Sequence, residues 1–340
     1  MTAKARPNLR MLADKLGLSV TTVSRALKDG PEVRPNTISR VKAAAEAAGY
    51  IPNLHGRALR TGLTRNLTAI LPMETRDYLS DILKLPLMEG MTMAARQLGY
   101  TLTIFSTTPD ENPQENLEQV LRSGAADGIV ITRMLAEDPR VPYLLERRVP
   151  FIAFGRSSVA SNYAYVDIDN KRITYEATSL LIEGGCTRIA MQLLIREDQY
   201  SATRFEGYRK AMEDHALNVD PALIGQEDFT MEASERWVGR LLDSADPPTG
   251  LVCANELGLL GAISALRKRG LAVGTDFSIA TRDTTRIAHY LSTPLVTHSV
   301  DMVSVGRSLV DGLVRQIERP VDPLTQEVFG GEMAIIGRDR

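Results

Sequence analysis

A heptapeptide near the N-terminus, SVTTVSR, combines side chains that can recognise double-stranded DNA. Arg25 can donate two hydrogen bonds to guanine O6 and N7 in the major groove, and the methyl groups of Val20 and Thr21 can contact a thymine methyl. Thr22 and Ser24 carry hydroxyls suited to phosphate oxygens, which position a protein on DNA without reading its sequence. Each residue alone is typical of a solvated helix face, but the set predicts a DNA-contacting surface.

The charge distribution supports this interpretation. The chain has 340 residues with 40 Lys/Arg against 42 Asp/Glu. Residues 1–65 hold 12 Lys/Arg against 4 Asp/Glu, a net +8, and the remaining 275 hold 28 against 38, a net −10. Such asymmetry indicates that one segment meets a polyanion. A basic solvated tail is the alternative, and the hydrophobic pattern of the segment decides against it.

Two short helices are predicted around this heptapeptide. Apolar residues at helical spacing cover residues 9–16, and Gly17 is a typical C-terminal stop. Ser19 is suited to cap a second helix, on which Val23 and Ala26 face inward.

A third helix begins near Pro35, a residue favoured at the first helical position, and ends at Gly49. Two short helices joined by a tight turn, with a third packed behind them, form the helix-turn-helix arrangement, predicted here for residues 1–51. Helical spacing alone also allows a protein-interaction module.

Residues 8–62 resemble the N-terminal signature of the lactose/galactose-repressor (LacI/GalR) family of bacterial transcription regulators. The elements TVSRAL, GYIPN and GRALR occur in the family's order, and Pro35-Asn36 departs from the acidic or polar residues usual at the third helix. The resemblance implies a transcriptional regulator, with a repressor as the expected class. It also implies a homodimer bound to pseudo-palindromic operator DNA.

Residues 52–65 are predicted to form a hinge helix and linker. Asn53 is suited to cap a helix that continues to Arg60, and so short a helix is marginal alone. The resemblance implies that two such helices pair and insert into the minor groove, with Leu59 as an apolar wedge and with Arg57 and Arg60 near phosphates. A plain linker with Leu59 packed on the core is the alternative.

Residues 66–340 alternate short apolar runs with helical segments, which predicts parallel sheets flanked by helices in two lobes. The resemblance adds the fold of periplasmic sugar-binding proteins, with three crossings of the chain between the lobes. We expect the N-lobe at about 66–164 and 295–321, and the C-lobe at about 165–294 and 322–340. The predicted strands are 67–71, 101–105, 128–131, 151–154, 188–194, 250–254 and 277–280, and the example helices are 85–98 and 201–215.

An effector-binding cleft is expected between the lobes, because open parallel sheets bind ligands at the carboxyl ends of their strands. The resemblance implies that an arginine, an amide, a carboxylate and an aromatic ring meet there, a set suited to a sugar or sugar derivative. The expected effector residues are Arg204, Phe229, Asn255, Asp283, Tyr78, Arg156 and, as a weaker candidate, Met302.

Two departures from the family pattern concern the ligand. Thr281-Arg282 replaces the usual Gly-Phe before Asp283, and Gly155 stands where a sugar-binding aspartate often occurs. A lost carboxylate and a gained arginine suit a phosphorylated or acidic ligand; equally, Arg282 can simply pair with Asp283. The sequence leaves both open, as it does the choice between induction and co-repression.

Other function classes fit less well. No apolar run reaches the ~18 residues of a membrane span, and the N-terminus lacks a signal-peptide core, so a cytoplasmic protein is expected. Two cysteines and four scattered histidines predict no metal site, and we expect no cofactor. Without a nucleophile elbow, P-loop or dinucleotide fingerprint, an enzyme is not expected.

Two alternatives stay open: a carbohydrate-binding protein that does not bind DNA, and a regulator switched by a protein co-effector. The C-terminal sequence GGEMAIIGRDR shows no heptad extension, so a dimer is favoured over a tetramer.

Overall fold

The computed structural model describes residues 7–50, 62–73, 84–108, 111–193, 199–226, 230–291 and 293–337. The chain divides into two compact units, 1–64 and 65–340, here called the head and the core.

The head contains the three predicted helices, α1 (Leu9–Leu16), α2 (Val20–Ala26) and α3 (Pro35–Ala47). Gly17 ends α1 with φ +64°, the left-handed conformation that glycine adopts without steric cost. The Ser19 hydroxyl accepts from the backbone N–H of Thr22 at 3.1 Å and so caps α2 as predicted. The helices enclose a small apolar core of Leu12, Ala13, Val23, Ala26, Val41 and Ala45.

The core contains twelve strands among the described residues. They are β1 (Asn66–Pro72), β2 (Thr101–Thr107), β3 (Gly128–Ile131), β4 (Phe151–Phe154), β5 (Ala164–Ile168), β6 (Ile189–Leu193), β7 (Ile224–Gln226), β8 (Gly250–Val252), β9 (Ser278–Arg282), β10 (Leu295–Ser299), β11 (Gln326–Phe329) and β12 (Glu332–Ile336).

Eight core helices accompany these strands in the described residues. They are α4 (Leu85–Gln97), α5 (Pro113–Ser123), α6 (Arg140–Glu146), α7 (Asn170–Glu183), α8 (Gln199–Asp214), α9 (Met231–Leu242), α10 (Glu256–Arg267) and α11 (Met302–Glu318), with short 3₁₀ turns at Pro221–Leu223 and Ile287–Tyr290.

The first lobe is a parallel sheet of order β11-β5-β4-β3-β1-β2. Helices α4 and α11 cover one face, and α5 and α6 cover the other. The two covering helices approach closely at Gly90, where an added Cβ would lie 2.0 Å from the Val303 carbonyl oxygen, and at Gly306, where it would lie 2.3 Å from that of Leu87.

The second lobe has the order β12-β10-β9-β8-β6-β7. All its pairs are parallel except β12, which runs antiparallel to β10. Helices α7 and α8 cover one face, and α9 and α10 cover the other. The two-lobed parallel architecture is as predicted, with one antiparallel edge strand that was not.

The expected lobe boundaries need correction. Strand pairing assigns β5 and β11 to the first lobe, and β10 and β12 to the second, so the chain crosses after residue 168, after 299 and after 329. The boundaries were expected at 164/165, 294/295 and 321/322. In each case the strand that follows the expected boundary still belongs to the lobe before it. Hydrophobic alternation locates strands but does not say which sheet they join.

Arg65 anchors the start of the core to the first lobe. Its guanidinium pairs with Glu318 at 2.6 Å and lies 4.7 Å from the centre of the Tyr100 ring. Its backbone N–H donates to Asp127 at 2.8 Å, and its carbonyl accepts from Thr101 at 2.8 Å. Side chain and backbone together fix this residue at the edge of the sheet.

Candidate functional site

Helix α2 presents the face that the sequence predicted. Val20 is 43% exposed, whereas Val23 and Ala26 are fully buried. Thr21 and Arg25 are exposed as well. The exposed face therefore carries a guanidinium and two methyl-bearing side chains on a helix held by the head core.

The two hydroxyls of α2 predicted to bind phosphates, those of Thr22 and Ser24, have different surroundings. The hydroxyl of Thr22 shares a 2.8 Å hydrogen bond with that of Ser19, so part of its capacity is used within the helix cap. Ser24 is half-buried. Backbone N–H groups at the start of a helix remain suited to phosphate oxygens.

Arg25 has a contact that sequence reasoning missed. Its Nε lies 3.1 Å from Oε1 of Glu32, and both side chains are about half exposed. Glu32 belongs to the loop between α2 and α3.

Several predicted site residues lie outside the described residues and remain predictions. They are Asn53, Arg57, Leu59, Arg60, Tyr78 and Phe229.

Arg204, on α8, is buried and held at the carboxyl end of β8. Its Nη1 donates to the carbonyl of Ala254 at 2.7 Å and to the hydroxyl of Tyr200 at 2.8 Å. Its Nη2 donates to the carbonyl of Cys253 at 2.6 Å. Hydrogen bonds from a charged donor are stronger than those between neutral groups. Arg204 therefore fixes the loop that follows β8.

That loop leads into α10, where two neighbouring side chains organise the strand ends. Asn255 accepts from the backbone N–H of Gly258 at 2.8 Å and caps the helix. Glu256 is 3% exposed; its Oε1 accepts from the backbone N–H of Thr284 at 2.6 Å, but its buried Oε2 has no partner among the described residues. A buried acceptor without a partner is uncommon, and the hydrogen-bond donor of a ligand or a water would satisfy it.

Asp283 follows β9 and is also buried. Its Oδ1 accepts from the backbone N–H of Ala288 at 3.2 Å, and its Oδ2 lies 3.1 Å from Nδ1 of His289. The carboxylate thus holds the 3₁₀ turn after β9. Arg282 donates from Nε to the Thr284 hydroxyl at 2.7 Å, and among the described residues no ion pair joins it to Asp283.

His298, near the end of β10, completes the group. It aligns with Arg282 in the sheet, and its buried Nδ1 lacks a hydrogen-bond partner among the described residues. Burial, together with the positive charges of Arg204 and Arg282, lowers the pKa of His298 to about 3. The imidazole is therefore neutral at physiological pH.

The remaining predicted residues lie in the first lobe. Arg156 follows β4, pairs with Asp167 at 2.6 Å and is 43% exposed at its side chain. Met302, by contrast, is 4% exposed and belongs to the apolar cluster beneath α4 and α11. Its described packing is that of a core side chain.

A hydrogen bond joins the two lobes at the loop after β3. The backbone N–H of Gln199, at the start of α8, donates to the carbonyl of Met134 at 3.1 Å. The loop is held by Arg140, which donates to the carbonyls of Thr132 and Arg133 at 3.1 and 3.0 Å. This interlobe contact touches the helix that carries Arg204.

Comparisons with known proteins decide the family. A model described as bacterial regulatory proteins, lacI family, matches residues 8–53, and one described as periplasmic binding protein-like domain matches residues 178–336. The HTH-type transcriptional regulator AglR of Rhizobium meliloti (strain 1021) is 32% identical over 332 residues, covering 96% of this chain and 93% of the relative. The chain belongs to the LacI family. It is a transcriptional regulator with a helix-turn-helix head.

Solved LacI-family structures agree with the fold. The transcriptional regulator CelR–cellobiose complex has a TM-score of 0.72 at 25% identity, covering 97% of this chain and 98% of that one. The lac repressor dimer bound to operator and the anti-inducer ONPF has a TM-score of 0.83 at 20% identity, covering 97% and 98%. The described helices include none long and apolar enough to cross a bilayer.

Sequence reasoning missed three residues in this LacI-family chain that the structure brings to its candidate sites: Glu32, Glu256 and His298. A signal existed for the last two. Glu256 directly follows the candidate Asn255 in the run ANE, and His298 is a single imidazole in the run LVTH. Glu32 gave no signal, because its partner lies seven positions away across a loop.

Proposed function

We propose that this chain is a homodimeric repressor that reads a pseudo-palindromic operator with α2 and responds to a carbohydrate bound between the core lobes. One observation carries the DNA-binding half: Val20, Thr21 and Arg25 are exposed on a capped helix whose opposite face is fully buried. A helix of this kind on a segment of net +8 suits the major groove and the phosphates beside it.

The proposed effector site lies at the carboxyl edge of the second sheet, and we propose that Arg156 of the first lobe contributes to it. Its support is the group of Asn255, Glu256, Asp283 and His298, which offers amide, carboxylate and neutral imidazole atoms to hydroxyl groups. The cellobiose complex of CelR, at 25% identity over nearly the whole chain, supports a carbohydrate ligand.

The hydrogen bonds that the two arginines already make favour a neutral carbohydrate ligand over a phosphorylated one. Arg204 is buried with its Nη atoms on a hydroxyl and backbone carbonyls, and Arg282 is bound through Nε to a hydroxyl. Two carboxylates lie near them. These hydrogen bonds already use donors of both arginines, and the two carboxylates would repel a phosphate.

We further propose a binding protein without catalytic activity, acting in the cytoplasm where the chromosome is. The side chains of the cluster hold backbone groups in place, as expected of a site that recognises a ligand. An effector changes DNA affinity only in proportion to its differential affinity for the two lobe arrangements.

Enrichment of bound fragments from a randomised palindromic library, using the full chain at moderate salt, tests the DNA-binding half. A preferred two-fold-related site is expected, with Arg25→Ala relaxing one position in each half-site at a cost of about 1–3 kcal/mol. Equal loss on all sequences would contradict base reading by Arg25. No enriched site, with or without added sugars, would contradict the proposed function.

Thermal shift of the full chain with mono- and disaccharides, including cellobiose, and with their phosphates tests the effector half. A neutral sugar should raise the melting temperature and change the affinity for the enriched site. A response to the phosphates alone would contradict the neutral-carbohydrate proposal.

A further inference from the structure

The loop between α2 and α3 is held in one conformation. Asp29 adopts φ +56°, and its two carboxylate oxygens accept from Lys42 Nζ at 2.6 and 2.7 Å. The backbone N–H of Gly30 donates to the Arg25 carbonyl at 3.0 Å, and that of Val33 donates to Gly30 at 2.9 Å. Val33 also packs against the head core. Residue 32 therefore lies on a fixed loop.

The fixed loop brings Glu32 to one particular atom of Arg25. The ion pair brings Oε1 of Glu32 to 3.1 Å from Nε, and the structure shows no hydrogen-bond partner for Nη1 and Nη2 among the described residues. Gly30 leaves space for the Glu32 carboxylate, because a Cβ at residue 30 would lie 3.0 Å from Oε2 of Glu32. The carboxylate thus uses the inner edge of the guanidinium and leaves its two terminal amino groups available.

Stability does not account for this contact. Both side chains are about half exposed, and exposed ion pairs contribute little to folding. A carboxylate beside a DNA-contacting arginine also repels phosphates, which lowers affinity for all DNA alike. What the geometry of this contact does favour is one orientation of the guanidinium, because the carboxylate lies on its Nε side.

We propose that Glu32 is a specificity-determining residue that positions Arg25 for two-hydrogen-bond recognition of guanine. Binding Nε restricts the side-chain torsions and presents Nη1 and Nη2 together to O6 and N7. The negative charge at the same time weakens binding to random sequence, so both effects raise the ratio of specific to non-specific affinity. This inference rests on the proposed function, because it requires that α2 reads DNA.

The test begins with the site enriched by the wild-type chain. The base position at which Arg25→Ala loses its preference is the position that Arg25 reads. Fluorescence anisotropy then gives the affinity of each variant for the enriched site, for the site substituted at that position, and for random DNA. The variants are Glu32→Ala, Glu32→Gln and, as a charge-matched control, Glu46→Ala on the exposed face of α3.

We expect Glu32→Ala to reduce discrimination at the Arg25 position at least fivefold while preferences at other positions persist. Glu32→Gln keeps an oxygen that can accept from Nε and should restore discrimination to within threefold of wild type. Glu46→Ala should raise affinity for random DNA without changing discrimination.

Three results would overturn the proposal: full discrimination in Glu32→Ala, no recovery in Glu32→Gln, or loss of preference at every position. Failure of the wild-type chain to enrich any site is a different result, because it removes the proposed function before Glu32 is tested.

Discussion

Arg204 and Ala254 are joined by a 2.7 Å hydrogen bond from a guanidinium Nη1 to a backbone carbonyl. The same guanidinium donates to the carbonyl of Cys253. One side chain of α8 therefore fixes the backbone that follows β8. The residue expected to bind the effector therefore also holds the backbone that borders the proposed site.

Arg204→Lys should lower the free energy of unfolding by about 1–3 kcal/mol. A single ammonium cannot reproduce the planar fork, and one buried carbonyl loses its partner. Urea unfolding followed by fluorescence of Trp237, the chain's one tryptophan, on α9 of this lobe, measures the effect. Arg209→Lys, on the exposed face of the same helix, is the control and should change little. Equal effects would show that the carbonyl bonds carry no stability.

Arg140→Met should destabilise the first lobe by about 3–5 kcal/mol, because it leaves the fully buried Asp138 carboxylate without its cation. The substitution also removes the hydrogen bonds that Arg140 donates to two loop carbonyls. Chemical unfolding followed by far-ultraviolet circular dichroism measures the loss. Arg122→Met, at an exposed position on α5, removes the same charge and should cost under about 0.5 kcal/mol. A small effect at Arg140 would mean that water reaches Asp138.

Acid should destabilise the core through His298. Its pKa is about 3 in the folded protein and about 6.5 when unfolded. Below pH 6.5 the unfolded chain therefore binds a proton that the folded chain does not. Stability falls by about 1.4 kcal/mol per pH unit as pH decreases through this window, or about 2 kcal/mol between pH 6.5 and 5.

Urea unfolding monitored at Trp237 across pH 5 to 8 checks this dependence. His298→Gln should remove most of the slope between pH 6.5 and 5. Between pH 7 and 8 both proteins should be insensitive at this site, since the imidazole is neutral in both states. An unchanged slope in the variant would assign the acid sensitivity to other groups.

Glu256→Gln should weaken effector binding about tenfold or more while leaving the fold intact. The amide oxygen can still accept from the Thr284 N–H, but the variant replaces the unpartnered acceptor Oε2 with a donor. Isothermal titration with the sugar found in the thermal-shift screen gives the affinity. Unfolding at Trp237 is the control for folding. Unchanged affinity would remove Glu256 from the site.

The sequence predicted the head almost completely, because its helices are marked by local signals. Asn8 and Ser19 cap two helices through their own side chains, and Gly17 ends the first in the conformation it favours. All seven predicted core strands match observed ones to within about two residues. Six of these strands are mostly buried, so their apolar runs identify them, whereas β2 is largely exposed or half-buried.

Five strands were missed, and three of them, β7, β11 and β12, have weak local signals. Strands β5 and β10 are mostly buried and were missed despite their apolar residues. β11 is largely exposed and β12 mostly so, and β7 has three residues. Their pairing depends on partners far along the chain, as the lobe boundaries do. The resemblance to the family singled out Arg204 and Asp283, whose roles in the effector site stay predictions. The positions of Glu32 and His298 could not be predicted, because they depend on a loop conformation and a strand register.

The attachment of Arg65 to Glu318, Tyr100 and Asp127 has a practical consequence for measuring the switch. Because this residue is pinned to the sheet edge, its displacement reports rigid rotation of the first lobe and nothing of the preceding segment's internal order. In the proposed dimer, spin labels next to Arg65 in both subunits would give the distance between the two first lobes. Their separation, with and without sugar, would record how far the lobes turn before any DNA is added.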